Sequence, residues 1–287
     1  MYLFSADYTA QEYFERKGES RFRTAQAGIA TTCLKYLSFD AFGTGHCGNY
    51  DTLLKDNPFL DYAARHWGDH VHGQEETIKG LALGFLQDSS KAACAGDVSI
   101  AKSWERPSNY SGMHLSSFFG LDKMIDYQLK TGAIADSKGR RGRSPLSIAA
   151  QHGHEAAVKL FLARDDVDVD SKDSGGWTPL LWAARSGREA VVKLFLARDD
   201  VDVDSKDPAG QTPLLMAARR GHEEVVKLFL ARDDVDVNSE DSYGQTPLSW
   251  ASRKGHEAVV KLLLACDGVN VNLKDPGQTW VSFGAEN

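Results

Sequence analysis

From Ser144 onward the apolar positions of the chain recur in a fixed register. Ser144-Pro145-Leu146, Thr178-Pro179-Leu180, Thr212-Pro213-Leu214 and Thr246-Pro247-Leu248 return every 34 residues, and Gly153, Gly187, Gly221 and Gly255 keep step. The stretch VKLFLARDDVDV at 158–169 reappears unchanged at 192–203 and 226–237. A fixed period of this length marks one supersecondary unit copied along an array.

Within each unit the pattern predicts two helices and a finger. Thr or Ser before Pro supplies a side-chain oxygen at the N-cap and a preset φ at the first helical position, where no N–H is needed. The first helix is short (LLWAAR, LSWASR), and the recurring Gly closes it in a place suited to φ > 0. HEAVVKLLLA and its variants then set Glu in the first turn of a second helix, with a broad apolar face at i, i+3, i+4. Asp-Asp-Val-Asp-Val alternates polar and apolar, and Gly176, Gly210 or Gly244 marks a tight turn, so an extended finger with inward valines is expected. One such unit cannot bury both helices; units must stack and share a core.

TPLLWAARSGREAVVKLFLARDDVDV, beginning at Thr178, resembles an ankyrin repeat of the type common in fungal multi-domain proteins. Two departures stand out. Ser147, Leu181, Leu215 and Ser249 replace the usual His after Pro-Leu, and Arg-Asp-Asp-Val replaces the usual Gly-Ala with one residue more. Asp tolerates left-handed geometry, which would accommodate the longer loop. The resemblance implies an all-α fold: four ankyrin repeats at 144–278, a divergent N-capping unit at 111–143 and a truncated C-terminal unit at 279–287, where Trp280, Val281 and Phe283 would cover the last open face.

Residues 1–110 carry no repeat but have helical signals at 9–16, 25–39 and 57–64, so a small helical unit is expected ahead of the array. Residues 8–15 (YTAQEYFE), 30–40 (ATTCLKYLSFD) and 60–68 (LDYAARHWG) resemble the connector between nucleotide-binding module and repeats in fungal NACHT/ankyrin signalling proteins of the NLR-like type. The likeness spans residues 3 to 75, with Asp7 where those proteins usually carry His. It implies a chain lacking the NACHT module and its ATPase.

Charge and cysteine content narrow the function classes. The net charge of −7 is spread evenly, so binding to phosphate backbones would need a local basic patch. Lys138, Arg140, Arg141 and Arg143 offer one. Four cysteines without CxxC spacing fit a reducing, intracellular compartment, cytoplasm or nucleus. The first eight residues lack a signal-peptide pattern, and no stretch approaches the ~20 apolar residues of a membrane helix.

No motif argues well for catalysis. Gly43-Thr44-Gly45-His46-Cys47-Gly48 matches G-x-G-x-x-G but follows a helical stretch instead of a buried strand, so a loop is the better reading. His66 and His70 have the i, i+4 spacing of a helical metal pair, with His72 beyond them, but Gly68 interrupts that helix; structural histidines are expected, with a metal-dependent enzyme as the alternative. The run Asp166, Asp168, Asp170 lacks the Gly and Glu of a calcium loop. The expectation is a non-enzyme without cofactor.

The informative positions are those that vary while the framework repeats. The resemblance places them on the concave face, where a protein partner would be held: Trp177, Gln211 and Tyr243 at finger tips, and Arg185, Arg219, Arg220, Arg253 and Lys254 at first-helix ends. Trp177 and Tyr243 would anchor, and the basic ladder would read an acidic surface or, as a lesser alternative, nucleic acid. Ile148, Trp182, Met216 and Trp250 share one framework slot and read as core. The resemblance implies a scaffold or adaptor with a regulatory role.

Overall fold

The computed structural model describes residues 19–42, 50–101 and 109–271, which hold fifteen α-helices and no strand. The segments 8–15, 43–48 and 279–287 singled out in the sequence, and 272–278 before the last of them, lie outside the described residues. The chain divides into two compact units, Met1–Arg140 and Arg141–Asn287.

The first unit comprises α1 (Glu19–Leu37), α2 (Tyr50–Asp56), α3 (Phe59–Val71), α4 (Glu75–Gln87), α5 (Ser89–Gly96), α6 (Gly112–Phe119) and α7 (Asp122–Lys130). Its core gathers Leu34 and Leu37 of α1, Leu60, Ala64 and Trp67 of α3, Phe85 of α4, and Leu115, Phe119 and Met124 of α6 and α7. Gly68 does not interrupt α3. A Cβ there would stand 2.1 Å from the Phe119 ring, so glycine is what lets α3 and α6 approach. The Asn57 amide donates to the Leu53 carbonyl (3.0 Å) and closes α2. The helix pair α6–α7 follows the repeat pattern, with Ser111 and His114 in a capping box and Gly120 left-handed at φ 66°. It nevertheless buries its apolar side with the helices before it.

The second unit is built from four helix pairs: α8 (Pro145–His152) with α9 (Glu155–Leu162), α10 (Pro179–Arg185) with α11 (Glu189–Leu196), α12 (Pro213–Arg220) with α13 (Glu223–Leu230), and α14 (Pro247–Lys254) with α15 (Glu257–Leu264). Each first helix starts as its sequence dictates. The hydroxyls of Ser144, Thr178, Thr212 and Thr246 accept the N–H three residues on, at 3.2–3.3 Å, ahead of a proline. First helices pack side by side in one row and second helices in another, with Phe161, Phe195 and Phe229 fully buried between them. The valines of the fingers turn inward, Val167 and Val201 being at most 8 % exposed.

Bonds between neighbouring units are themselves periodic. Arg188 Nε donates to the Gln151 carbonyl (3.0 Å); His222 and His256 meet the Arg185 and Arg219 carbonyls at 2.9 and 3.1 Å through Nε2. Arg198 and Arg232 donate back to the Leu162 and Leu196 carbonyls while forking onto Asp200 and Asp234. That fork corrects the expected role of the extra loop residue. Among described non-glycine residues only Asn109 and Arg141 have positive φ, so no left-handed Asp carries the loop; the arginine does.

Candidate functional site

At the finger tips an aspartate clasps its own turn and reaches into the first-helix row. Asp173 accepts the N–H groups of Gly175 (2.8 Å) and Trp177 (3.0 Å) through Oδ1, and the Trp182 indole N–H (3.0 Å) through Oδ2. Two units on, Asp241 accepts the N–H groups of Tyr243 (2.9 Å) and Gln245 (3.0 Å), and the Trp250 indole N–H (2.8 Å). A carboxylate acceptor strengthens each bond, so two indoles are held by one edge.

Cations cover their ring faces. The Arg143 guanidinium lies 4.3 Å from the Trp182 ring centre, and Arg185 lies 4.9 Å from Trp177 and 5.6 Å from Trp182; the two rings are themselves 4.7 Å apart. Arg219 lies 4.4 Å from Trp250, with Arg253 at 5.9 Å and Lys254 at 6.0 Å. Each close stack contributes about 0.5–1 kcal/mol at such half-exposed sites. Burial, and after it the charges of Arg220 and Arg219, lowers the Arg185 pKa, so these cations are near enough to repel one another. At the array's start, burial pushes the His152 imidazole down to about 4, with His154, Arg143 and Arg188 adding to the effect; it is neutral at pH 7.

Of the residues picked from the sequence, Trp177 and Arg185 therefore meet in one cluster, and Arg219, Arg253 and Lys254 in a second. Arg220 is exposed beside Arg185's field, and Tyr243 stands at a finger tip with 68 % of its surface exposed. Gln211 is only 7 % exposed, and its backbone N–H and C=O are both taken by Asp207, so it is not part of this surface. The shared framework slot divides: Ile148 and Met216 are buried as expected, whereas Trp182 and Trp250 are half-buried and stacked, which corrects their reading as core. A sequence signal for them exists. Both lie nine residues after an Asp, and an indole N–H pointed inward needs such an acceptor.

The second-helix row and its loops differ. Lys159, Lys193 and Lys227 pair with Glu155, Glu189 and Glu223 (2.5–2.8 Å), and Arg164, Arg198 and Arg232 with Asp166, Asp200 and Asp234 (2.6–2.7 Å). By contrast Arg185, Arg219, Arg220, Arg253 and Lys254 have no ion pair among the described residues.

The other candidates are held apart. His70 bonds Tyr62 (2.9 Å) and Gln26, His66 meets Asp69 (3.3 Å), and His72 reaches the Phe119 carbonyl (2.7 Å). No group of three His, Cys, Asp or Glu side chains among the described residues is placed to hold a metal. The finger aspartates bind backbone: Asp168 accepts the Asp170 N–H (3.1 Å), and Asp170 that of Asp202 (3.0 Å). Lys138, from the basic patch, pairs with Asp136.

The model of the family described as "Ankyrin repeats (3 copies)" matches residues 113–207 and 192–275. The chain belongs to the ankyrin-repeat family. Ankyrin repeats are generally protein–protein interaction modules, and the family is typically non-enzymatic. A search of curated proteins found no match. In this ankyrin chain no helix among the described residues is long and apolar enough to cross a membrane.

Proposed function

We propose that the second unit is a docking module for a protein partner, held on the face formed by first-helix ends and finger tips. The observation that carries this reading is the contrast in charge pairing. Lys159, Lys193, Lys227, Arg164, Arg198 and Arg232 of the second helices and their loops are paired with neighbouring carboxylates, whereas Arg185, Arg219, Arg253 and Lys254 at the first-helix ends lie by aromatic rings and have no ion pair among the described residues. Half-exposed tryptophan beside unpaired arginine is the composition of interaction hot spots. The likeness of 30–40 and 60–68 to the NACHT/ankyrin connector supports a regulatory or signalling adaptor of fungal NLR-like type, working inside the cell and without chemistry of its own.

The test starts from partners captured from native extract, identified, purified and rebound to the chain. A variant with Trp177→Ala, Arg185→Glu, Arg219→Glu and Tyr243→Ala is expected to lose the partner by about a hundredfold or more at unchanged helicity, while Lys193→Gln on the second-helix row binds as wild type. Equal binding by the first variant overturns the reading.

A further inference from the structure

We propose that the ligand of this face is an acidic peptide segment in an extended, polyproline-II-like conformation, its carboxylates meeting Arg185, Arg219 and Arg253 at every third residue. The inference rests on the docking role above and specifies its chemistry.

Register comes first. Arg185, Arg219 and Arg253 occupy the same place in successive units, and their helices α10, α12 and α14 pack directly side by side. Packed helix axes lie about 8–10 Å apart, so the backbone positions of the ladder repeat at about that distance. Three residues of polyproline II advance about 9 Å and complete one turn, which returns every third side chain to the same side. A β-strand fits poorly: side chains on one side recur at about 6.6 Å, and every third points away. An α-helix rises about 4.5 Å over three residues, half the spacing required.

Chemistry comes second. A guanidinium stacked on an indole uses its flat face and keeps its N–H donors in the plane, free to take a carboxylate at the edge. Arg185 lies over two rings at once and Arg219 over a third. The repulsion among Arg185, Arg219 and Arg220 is relieved by an anion placed between them, so binding charge removes a cost already present in the free protein. The indoles offer apolar ring edges to the residues between the acids, and proline there preserves the extended form at low entropic cost. A peptide is favoured over a nucleic acid because the protein as a whole carries −7, which repels a continuous phosphate backbone but tolerates a short acidic segment.

The probe is a fluorescein-labelled peptide of five Glu-Pro-Pro triplets, titrated with the full chain and followed by anisotropy and tryptophan fluorescence. Its comparator is a block peptide of identical composition, five Glu then ten Pro, together with a fifteen-nucleotide oligouridylate. Saturable one-to-one binding of the triplet peptide is expected, at least about tenfold tighter than the block, and weakened at least about tenfold by Arg219→Gln through loss of a charged bond. Lys193→Gln leaves it unchanged. Pure charge attraction predicts the opposite order, since the block concentrates its glutamates. The proposal is overturned if the block binds as tightly as the triplet peptide, if Lys193→Gln weakens binding as much as Arg219→Gln, if the oligonucleotide binds tightest, or if neither peptide binds. Should the peptides fail while the native partner is still lost on Arg185→Glu with Arg219→Glu, only the acidic-peptide inference falls; if that partner is retained, the docking role falls too.

Discussion

The two units solve the same packing problem in opposite ways. In the first, Trp67 of α3 packs edge-on against Phe85 of α4 (5.4 Å) and Phe119 of α6 (5.2 Å), and Gly68 and Gly112 leave room for the Phe119 ring and the Leu86 backbone. In the second, one phenylalanine position is filled three times, by Phe161, Phe195 and Phe229, each wholly buried between the same kinds of neighbour. An irregular core therefore depends on unique contacts, whereas a periodic core depends on a position that recurs. Damage should stay within the unit that suffers it.

The largest expected effect is Phe195→Ala, in the middle of the array. It removes a fully buried ring and is expected to cost about 3–5 kcal/mol. Amide hydrogen exchange should quicken across α8–α15 and stay unchanged in α1–α7; acceleration in both would abolish the contrast between the units. The reciprocal change is Gly112→Ala, whose methyl would meet the Leu86 backbone oxygen at 2.1 Å. About 1–3 kcal/mol should be lost in urea melts, with the faster exchange now confined to α1–α7.

A smaller effect sharpens the periodic side. Asp170 and Asp204 each accept the N–H 32 residues on through one oxygen, while the other oxygen is buried without a partner. In the next unit Asn238 occupies the place, accepts the Asn270 N–H (2.8 Å) and also donates to the Gly268 carbonyl (2.8 Å). Burial raises the Asp204 pKa, with the nearby charges of Asp236, Asp202 and Asp234 adding to it, so the folded state prefers the protonated carboxyl. The cost of ionising it appears as pH rises past the ordinary carboxylate value and is complete above the raised one. Asp204→Asn supplies the missing donor toward the equivalent carbonyl of Asp234 and is expected to stabilise by about 1 kcal/mol at pH 7, and by less near pH 3. Thermal melts at the two pH values check the sign.

Much of the periodic unit was legible because its signals are local. Thr-Pro set the helix starts, glycine the ends, and alternating valines the buried side of the fingers, all within a few residues of where they act. The site was legible only in part. An apolar slot reads alike whether it holds Met216, which is buried, or Trp250, whose size and N–H carry it to the edge of the row and onto Asp241. Gln211 varies as a contact residue would, yet its main chain is clasped by Asp207 and it is drawn inward. In the first unit Gly68 read as a helix breaker, because nothing nearby in the chain announces Phe119, whose ring needs the space.

Every bond that Arg188, Arg198, His222, Arg232 and His256 make to the preceding unit lands on a main-chain carbonyl. A carbonyl is present whatever the side chain, so a copied unit spliced in frame finds acceptors on the unit before it and offers its own carbonyls to the unit after it. Gene duplication can thus lengthen or shorten this array by whole units without first evolving a new junction, leaving selection free to act on the few side chains that face outward.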